Sequence, residues 1–330
     1  MPASIGTPSL YASFTVLVLA LLAVDFFMLK KESAHQVDTR EAAGWSVVWV
    51  TIALAFGALF WWYLGATAGP GADPGIAHAR GLEYLTGYLI EKALAVDNVF
   101  VWIAFFHYFA VPAALQKRVL LYGVLGAIAM RAILIYLGAM LLARFHWILY
   151  LFGLLLLATG VKMLLSAGRE PDLASNPVLR WMRRHLRIAD GYHGERFFVR
   201  LQGLRYVTPL FLVLVLVEAT DLIFAVDSIP AIFAVTRDPF IVFTSNIFAI
   251  LGLRAMYFLL ADMAERFHLL KYGLAAILVF IGVKALLLEV YAIPVGAALA
   301  AVALILAVAV AASLATSKPR QSPRPGEESN

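Results

Sequence analysis

Residues 218–230 read EATDLIFAVDSIP, and the rest of the chain is best understood from them. They carry three carboxylates, Glu218, Asp221 and Asp227, within an apolar run from about Tyr206 to Val235. Because that run is long enough to cross a bilayer, we expect these acids to lie at or near membrane depth. Ionised groups there cost several kcal/mol unless they are paired, protonated or bound to a cation. Such a cluster is hard to explain as packing and indicates a functional site.

A second acidic stretch, EKALAVDN, lies 130 residues earlier at 91–98. Sliding one stretch onto the other superposes three pairs of oxygen-bearing side chains: Glu91 with Asp221, Asp97 with Asp227, and Asn98 with Ser228. We interpret the two stretches as the halves of one site.

The composition indicates a polytopic membrane protein. The chain has 330 residues, of which 62% are hydrophobic and 14% charged, and its mean hydropathy is +0.85. A soluble domain has roughly 45–50% apolar and about 25% charged residues. Cysteine is absent, which excludes disulfides, thiolate metal sites and cysteine nucleophiles. We expect no cleavable signal peptide and no nucleic-acid partner.

Nine apolar segments reach the length that a bilayer requires, which predicts an all-α protein with nine transmembrane helices. The third and sixth segments run for about 30 residues and must tilt, kink or break inside the membrane. These two segments also carry the acids. The nine segments lie at about 9–29, 45–65, 82–111, 119–143, 146–166, 206–235, 241–262, 268–290 and 292–314.

Lysine and arginine concentrate in alternate connections, at 30–44, 112–118, 167–205, 263–271 and the tail. The positive-inside rule then places the N-terminus outside and the C-terminus in the cytoplasm, in a bacterial inner (plasma) membrane. The 167–205 loop holds eight arginines. It either simply obeys that rule or also contacts lipid headgroups or a partner. The tail is rich in proline, serine and charge, and we expect it to be disordered.

Further motifs recur along the chain. Arg144-Phe145-His146 returns as Arg266-Phe267-His268, Gly160-Val161-Lys162 returns as Gly282-Val283-Lys284, and Arg131 returns as Arg254. Helices 3–5 therefore resemble helices 6–8, and because each unit has three spans the second must be inverted. An inverted repeat places matching residues about a pseudo-two-fold axis in the membrane plane, where transporters commonly bind substrate. We expect the two repeated lysines to extend to the membrane interface.

These patterns divide the chain into six parts. They are helices 1 and 2 (1–81), the first repeat (82–166), the basic cytoplasmic loop (167–205), the second repeat (206–290), helix 9 (291–315) and the tail (316–330).

The acids and their polar neighbours form an all-oxygen ligand set, which suits hard cations such as Mg²⁺, Ca²⁺ or Mn²⁺. In a regular helix Glu218 and Asp221 share a face and Asp227 does not, so we expect local unwinding near Pro230 to gather all three. The candidate ligands are Glu91, Asp97, Asn98, Glu218, Asp221, Asp227 and Ser228.

Two arginines, Arg131 and Arg254, are candidates to offset the acidic charge. The acids should titrate as a coupled unit, so we predict that cation release is linked to proton uptake. Asp25 and Asn246 are weaker candidates for the ion path; for Asn246 a helix–helix hydrogen bond is the other interpretation. The alternative for the whole cluster is a buried salt-bridge network that holds the repeats together.

Three stretches resemble signatures of the TerC/Alx family of integral membrane proteins, whose name refers to tellurite resistance. They are EKALAVDNVFV at 91–101, EATDLIFAVDSIPAIFAVT at 218–236 and SNIFAILGLRAMYF at 245–258. The resemblance implies nine spans and export of a divalent cation, with Mn²⁺ favoured. It also implies that Glu91, Asp97, Glu218, Asp221 and Asp227 carry the ion.

We therefore predict secondary active export of Mn²⁺ or a similar divalent cation, with protons as the counter-ion and membrane lipid as the surroundings. No permanently bound cofactor is expected. The chain has no Walker motif and no His-Glu-x-x-His motif, so we expect it not to be an enzyme. The alternative is a membrane scaffold or stress-response subunit without transport activity. The oligomeric state stays open.

Overall fold

The structure is a computed structural model that describes residues 4–31, 39–67, 73–166, 176–263, 269–288 and 290–316. Three sequence predictions fall partly outside the described residues. They concern the Arg266-Phe267-His268 motif, residues 167–175 of the basic loop, and residues 317–330 of the tail.

The described residues form eleven helices and one antiparallel pair of strands. The pair, β1 (Phe198–Leu201) and β2 (Leu204–Val207), is a small departure from an all-α chain. The helices are α1 (Pro8–Lys31), α2 (Thr39–Thr67), α3 (Pro74–Tyr108), α4 (Ala113–Arg144), α5 (Ile148–Ser166), α6 (Pro177–His185), α7 (Pro209–Phe233), α8 (Pro239–Leu251), α9 (Leu253–Met263), α10 (Leu270–Leu286) and α11 (Val295–Thr316).

Six helices in the described part of the chain are long and apolar enough to cross a membrane: α1, α2, α4, α5, α7 and α11. A seventh span results if α8 and α9, which meet at a 41° bend, cross together. The multi-pass membrane architecture is therefore confirmed, whereas the nine predicted spans are not. The other two predicted spans correspond to α10, which has only 17 residues, and to α3. The charged side chains of α3 lower its apolar character: Arg80, Glu83, Glu91, Lys92 and Asp97.

The unwinding expected near Pro230 does not occur. Helix α7 runs without interruption through Pro230 to Phe233, and α3 is also continuous over 35 residues. A proline removes one N–H and therefore one helical hydrogen bond, and only one turn of α7 follows Pro230. The break near the site lies instead between α8 and α9. The acids must consequently be positioned by the packing of intact helices.

Helices α5 and α10 pack backbone against backbone. A Cβ atom on Gly160 would lie 2.9 Å from both the Ala275 carbonyl oxygen and the Val279 nitrogen. A Cβ atom on Gly282 would lie 2.8 Å from both the Gly153 carbonyl oxygen and the Leu157 nitrogen.

These two sets of contacts are reciprocal. The sequence shift of 122 residues that takes Gly160 to Gly282 also takes Gly153 to Ala275 and Leu157 to Val279. Contacts of this kind arise when a local two-fold axis relates the two helices. If a residue of α5 contacts a residue of α10, their repeat-equivalent residues are then in contact as well.

The described part of the basic loop folds against the helical bundle. Leu179 and Met182 of α6 are buried in a hydrophobic cluster together with residues of α3, α4 and α7. The Tyr192 hydroxyl donates to the Phe109 carbonyl at the end of α3 (2.7 Å), and Arg118 of α4 forms an ion pair with Glu195. The loop is thus anchored at the helix ends that bring α3, α4 and α7 together.

At the other end of α7, Lys284 of α10 contradicts the sequence prediction. Its side chain is only 3% exposed, and its Nζ donates to the Ala234 carbonyl at 2.8 Å. The ammonium group satisfies an end carbonyl of α7 that has no partner within the helix. Lys284 therefore caps a helix and does not extend to the interface, whereas its repeat partner Lys162 is exposed.

Candidate functional site

Helix periodicity explains which acidic side chains meet between α3 and α7. Glu91 and Asn98 are seven residues apart, or nearly two turns, and so share one face of α3. Asp221 and Ser228 have the same spacing on α7. Asp97 follows Glu91 by six residues, and Asp227 follows Asp221 by six residues. This spacing turns each aspartate about 120° away from the face that carries the first acid of its helix.

Arg131 of α4 lies at the centre of this arrangement and is fully buried. Its guanidinium forms a two-point ion pair with Asp221, with Nη2 at 2.8 Å from Oδ1 and Nε at 3.3 Å from Oδ2. Its Nη1 also forms an ion pair with Glu91. One positive charge thus joins two repeat-related carboxylates, a geometry to which the planar guanidinium is suited. Arg131, a predicted charge-compensating residue, thus lies in ion-pair contact with two of the candidate ligand acids.

Three polar side chains complete the cluster around Arg131. Asn246 of α8 donates from Nδ2 to Glu91 Oε2 at 2.9 Å and accepts from Arg131 Nη1 at 3.3 Å. Ser228 Oγ accepts from Arg131 Nη1 at 3.3 Å, and Asn98 Nδ2 donates to Asp221 Oδ1 at 3.2 Å. Asn246, a weak candidate from the sequence, therefore belongs to the cluster, and its bond to α3 is also the predicted helix–helix hydrogen bond.

A small cavity of about 50 Å³ adjoins this cluster. Three of its lining pairs are related by the 130-residue shift: Leu94 with Phe224, Asp97 with Asp227, and Asn98 with Ser228. Glu91 and Arg131 border it from the cluster, and its remaining walls come from α5 and α10. A cavity of this size holds a few water molecules, and hence a partly hydrated ion.

The carboxylates of Asp97 and Asp227 are not engaged by Arg131. Asp227 accepts one hydrogen bond, from Thr159 Oγ1 of α5 at 3.1 Å. Lys162 acts on Asp227 and Lys271 acts on Asp97 through their charges, without an ion-pair contact. The Oδ1 atom of Asn98 is buried and has no hydrogen-bond partner among the described residues. The cavity is therefore lined by two carboxylates that form no ion pair with another described residue.

Glu218, Arg254 and Asp25 lie away from this cavity. Glu218 packs against α4 at Gly126, where a Cβ atom would lie only 2.0 Å from Glu218 Oε1, and it does not line the cavity. Arg254 Nη2 bonds to Asp25 Oδ1 at 2.6 Å, which joins α9 to α1. Arg254 thus compensates Asp25 and not the acids of α3 and α7.

The described residues contain no group of three or more His, Cys, Asp and Glu side chains positioned to hold a metal ion. Arg131 is the physical reason, since its guanidinium occupies the space between Glu91 and Asp221. The arrangement can receive a cation in the cavity through Asp97, Asp227 and Asn98. It can engage Glu91 and Asp221 as well only if Arg131 moves.

Sequence reasoning missed the cavity walls that α5 and α10 supply. These are Thr159, Met163, Leu274 and Leu278. Thr159 directly precedes the repeated Gly160-Val161-Lys162 motif. A polar residue beside a recurring glycine was the available signal, because the glycine marks where α5 approaches its partner helix.

Comparison with known proteins supports the family resemblance. The family model described as "Integral membrane protein TerC family" matches residues 76–322. The match covers both acidic stretches, Arg131 and all the residues that line the cavity. No solved structure matches the chain.

Similar curated proteins cover almost the whole chain. One of Escherichia coli K12, named "Putative membrane-bound redox modulator Alx", is 59% identical over 300 residues, which is 91% of this chain and 92% of the relative. A protein of the same name from Photorhabdus laumondii is 56% identical over 305 residues, 92% and 94% of the two chains. An uncharacterized membrane protein of Myxococcus xanthus is 46% identical over 315 residues, 96% and 95% of the two chains.

Proposed function

The chain belongs to the TerC family of integral membrane proteins, and from that premise we propose that it exports a divalent cation, with Mn²⁺ the favoured substrate, across the bacterial inner membrane. Transport is secondary active and exchanges the cation for protons. The protein carries its substrate without chemical change and is not an enzyme. The N-terminus lies outside and the C-terminus in the cytoplasm, as the basic connections indicate.

The observation that carries this proposal is the cavity between repeat-related carboxylates. Asp97 and Asp227 line it from α3 and α7 together with Asn98, whose Oδ1 is buried and has no hydrogen-bond partner among the described residues. Two carboxylates and an amide oxygen are ligands that hard divalent cations prefer. A buried oxygen without a hydrogen-bond donor is costly, and a cation would satisfy it.

Met163 of α5 favours Mn²⁺ among these cations, because it lines the same cavity. A thioether is a softer donor than oxygen, and transition-metal ions accept it more readily than Mg²⁺ or Ca²⁺ do. The family resemblance supports the same choice.

The repeat supports alternating access. Glu91 neighbours Ser228, and Asn98 bonds to Asp221. The 130-residue shift takes Glu91 to Asp221 and Asn98 to Ser228, so these two contacts are equivalent in the repeat. The reciprocal glycine contacts of α5 and α10 agree with this relation. We infer that the two units are inverted repeats that rock about the cavity.

Transport by purified protein in liposomes tests the proposal. We expect wild-type protein to move Mn²⁺ and the rate to follow an imposed pH gradient. Asp97→Asn and Asp227→Asn should each abolish flux, whereas Glu195→Gln, which alters an exposed acid of the loop, should transport normally. A rate that ignores the pH gradient would remove proton exchange from the proposal.

The second candidate is a membrane scaffold or stress-response subunit, and the Arg131 network favours it. That network joins α3, α4, α7 and α8 through buried, satisfied polar contacts, which would stabilise a bundle without transport. The same liposomes separate the two functions, because a folded scaffold moves no ion. A redox role, which the names of the relatives suggest, could not use cysteine chemistry here, since the chain has no cysteine.

A further inference from the structure

Arg131 occupies the position that a bound cation would take between the two halves of the site. Its side-chain nitrogens contact Glu91, Asp221, Ser228 and Asn246, and each of those contacts is to an oxygen atom. An ion that bound Glu91 and Asp221 would need the same oxygens. The guanidinium is therefore a cation already bound to the site, and it is tethered to α4.

We propose that Arg131 is a tethered counter-cation that competes with the transported ion for the oxygens of Glu91 and Asp221. This inference rests on the proposed transport function and deepens it. In this structure the guanidinium holds both carboxylates. When a divalent cation enters the cavity, Arg131 is displaced from at least one of them, and it returns when the cation leaves.

The structure supports competition because Arg131 borders the cavity. A divalent cation held by Asp97 and Asp227 would lie beside the guanidinium, and like charges repel strongly at low dielectric constant. Asn98 connects the Arg131 cluster with the cavity that it lines. Its Nδ2 bonds to Asp221, whereas its Oδ1 has no hydrogen-bond partner among the described residues. Cation binding at Oδ1 and guanidinium binding at Asp221 therefore act on one shared side chain.

Competition of this kind gives the empty carrier a way to change conformation. Glu91 and Asp221 are both buried, and two unpaired carboxylates at membrane depth would be costly. Arg131 provides the compensating charge after the substrate has left. The same contact weakens cation affinity, because the ion gains the Glu91 and Asp221 oxygens only in the fraction of molecules in which the guanidinium has moved away.

Arg254 provides a matched control. It is the repeat partner of Arg131 by a shift of 123 residues, and it also lies in a helix of the bundle, but its ion pair is with Asp25. Arg254→Gln removes an ion-paired arginine of the bundle without removing a contact to Glu91 or Asp221.

The experiment measures equilibrium Mn²⁺ affinity and Mn²⁺ flux in wild type, Arg131→Gln, Arg131→Lys and Arg254→Gln. If the guanidinium is displaced in about a tenth of wild-type molecules, Arg131→Gln should bind Mn²⁺ about tenfold more tightly. Its turnover should fall, because release of the ion is no longer assisted. Arg131→Lys should shift affinity in the same direction by a smaller factor, since an ammonium cannot hold both carboxylates through a planar fork. Arg254→Gln should keep wild-type affinity.

The outcomes distinguish this inference from the proposed function. Folded wild type that neither binds nor moves Mn²⁺ overturns both. Wild-type binding together with unchanged or weaker affinity in folded Arg131→Gln overturns the counter-cation role alone and leaves Arg131 as an organiser of the site. If Arg131→Gln does not fold, Arg131→Lys decides, and affinity at or below the wild-type value overturns the inference.

Discussion

Replacement of Gly282 by alanine should destabilise the protein through the contact between α5 and α10. The added Cβ would lie 2.8 Å from two backbone atoms of α5, and backbone cannot yield as a flexible side chain does. Overpacking costs about 1–3 kcal/mol, and alanine recovers up to about 1 kcal/mol of helix propensity relative to glycine. We expect a net loss of about 1–2 kcal/mol in the free energy of unfolding. Gly160→Ala should lose a similar amount, because its contacts are reciprocal to those of Gly282.

Unfolding titrations in mixed micelles of detergent and dodecyl sulfate measure this difference. Gly44→Ala is the control, since nothing lies within 4 Å of a Cβ placed on that helical glycine, and it should be neutral or slightly stabilising. Mn²⁺ flux should fall with Gly282→Ala as well, because α5 and α10 form walls of the cavity. If Gly282→Ala were as stable as Gly44→Ala, the close approach of α5 and α10 would be refuted.

Three further substitutions test the cavity and the loop. Thr159→Val removes the hydroxyl that donates to Asp227 and should weaken Mn²⁺ binding by about 2–10-fold in calorimetry; unchanged affinity would remove Thr159 from the site. Met163→Leu keeps the side-chain volume and should reduce the preference for Mn²⁺ over Ca²⁺ in competition flux assays, and an unaltered preference would show that the thioether does not select the ion. Arg118→Gln breaks a surface ion pair with Glu195 and should change the unfolding free energy by less than about 1 kcal/mol; a larger loss would mean that the loop anchors the bundle.

The sequence predicted those features of the fold and the site that depend on helical periodicity or on a charged residue within an apolar segment. The helical, multi-pass architecture follows from long apolar runs. The pairing of Glu91 and Asn98 with Asp221 and Ser228 follows from a seven-residue spacing on each helix. Arg131 could be anticipated because an arginine within a membrane helix requires charged or polar partners, and the acids of the two repeated stretches are the available carboxylates.

Other features depend on packing that no local pattern encodes. Glu218 and Asp221 share a helix face in sequence terms, yet Asp221 pairs with Arg131 whereas Glu218 packs against Gly126 of α4. The expected unwinding at Pro230 was wrong because the proline lies within one turn of the end of α7. Arg254 repeats Arg131 in the sequence but pairs with Asp25 of α1.

We propose that Asp97 and Asp227 together hold a divalent cation. Electron paramagnetic resonance of Mn²⁺ titrated into purified protein tests it most directly, because free Mn²⁺ gives a signal that bound Mn²⁺ loses. We expect one tightly bound ion in wild type and in Glu195→Gln, and loss of that ion in both Asp97→Asn and Asp227→Asn. Wild-type stoichiometry and affinity in folded Asp97→Asn and Asp227→Asn would contradict it.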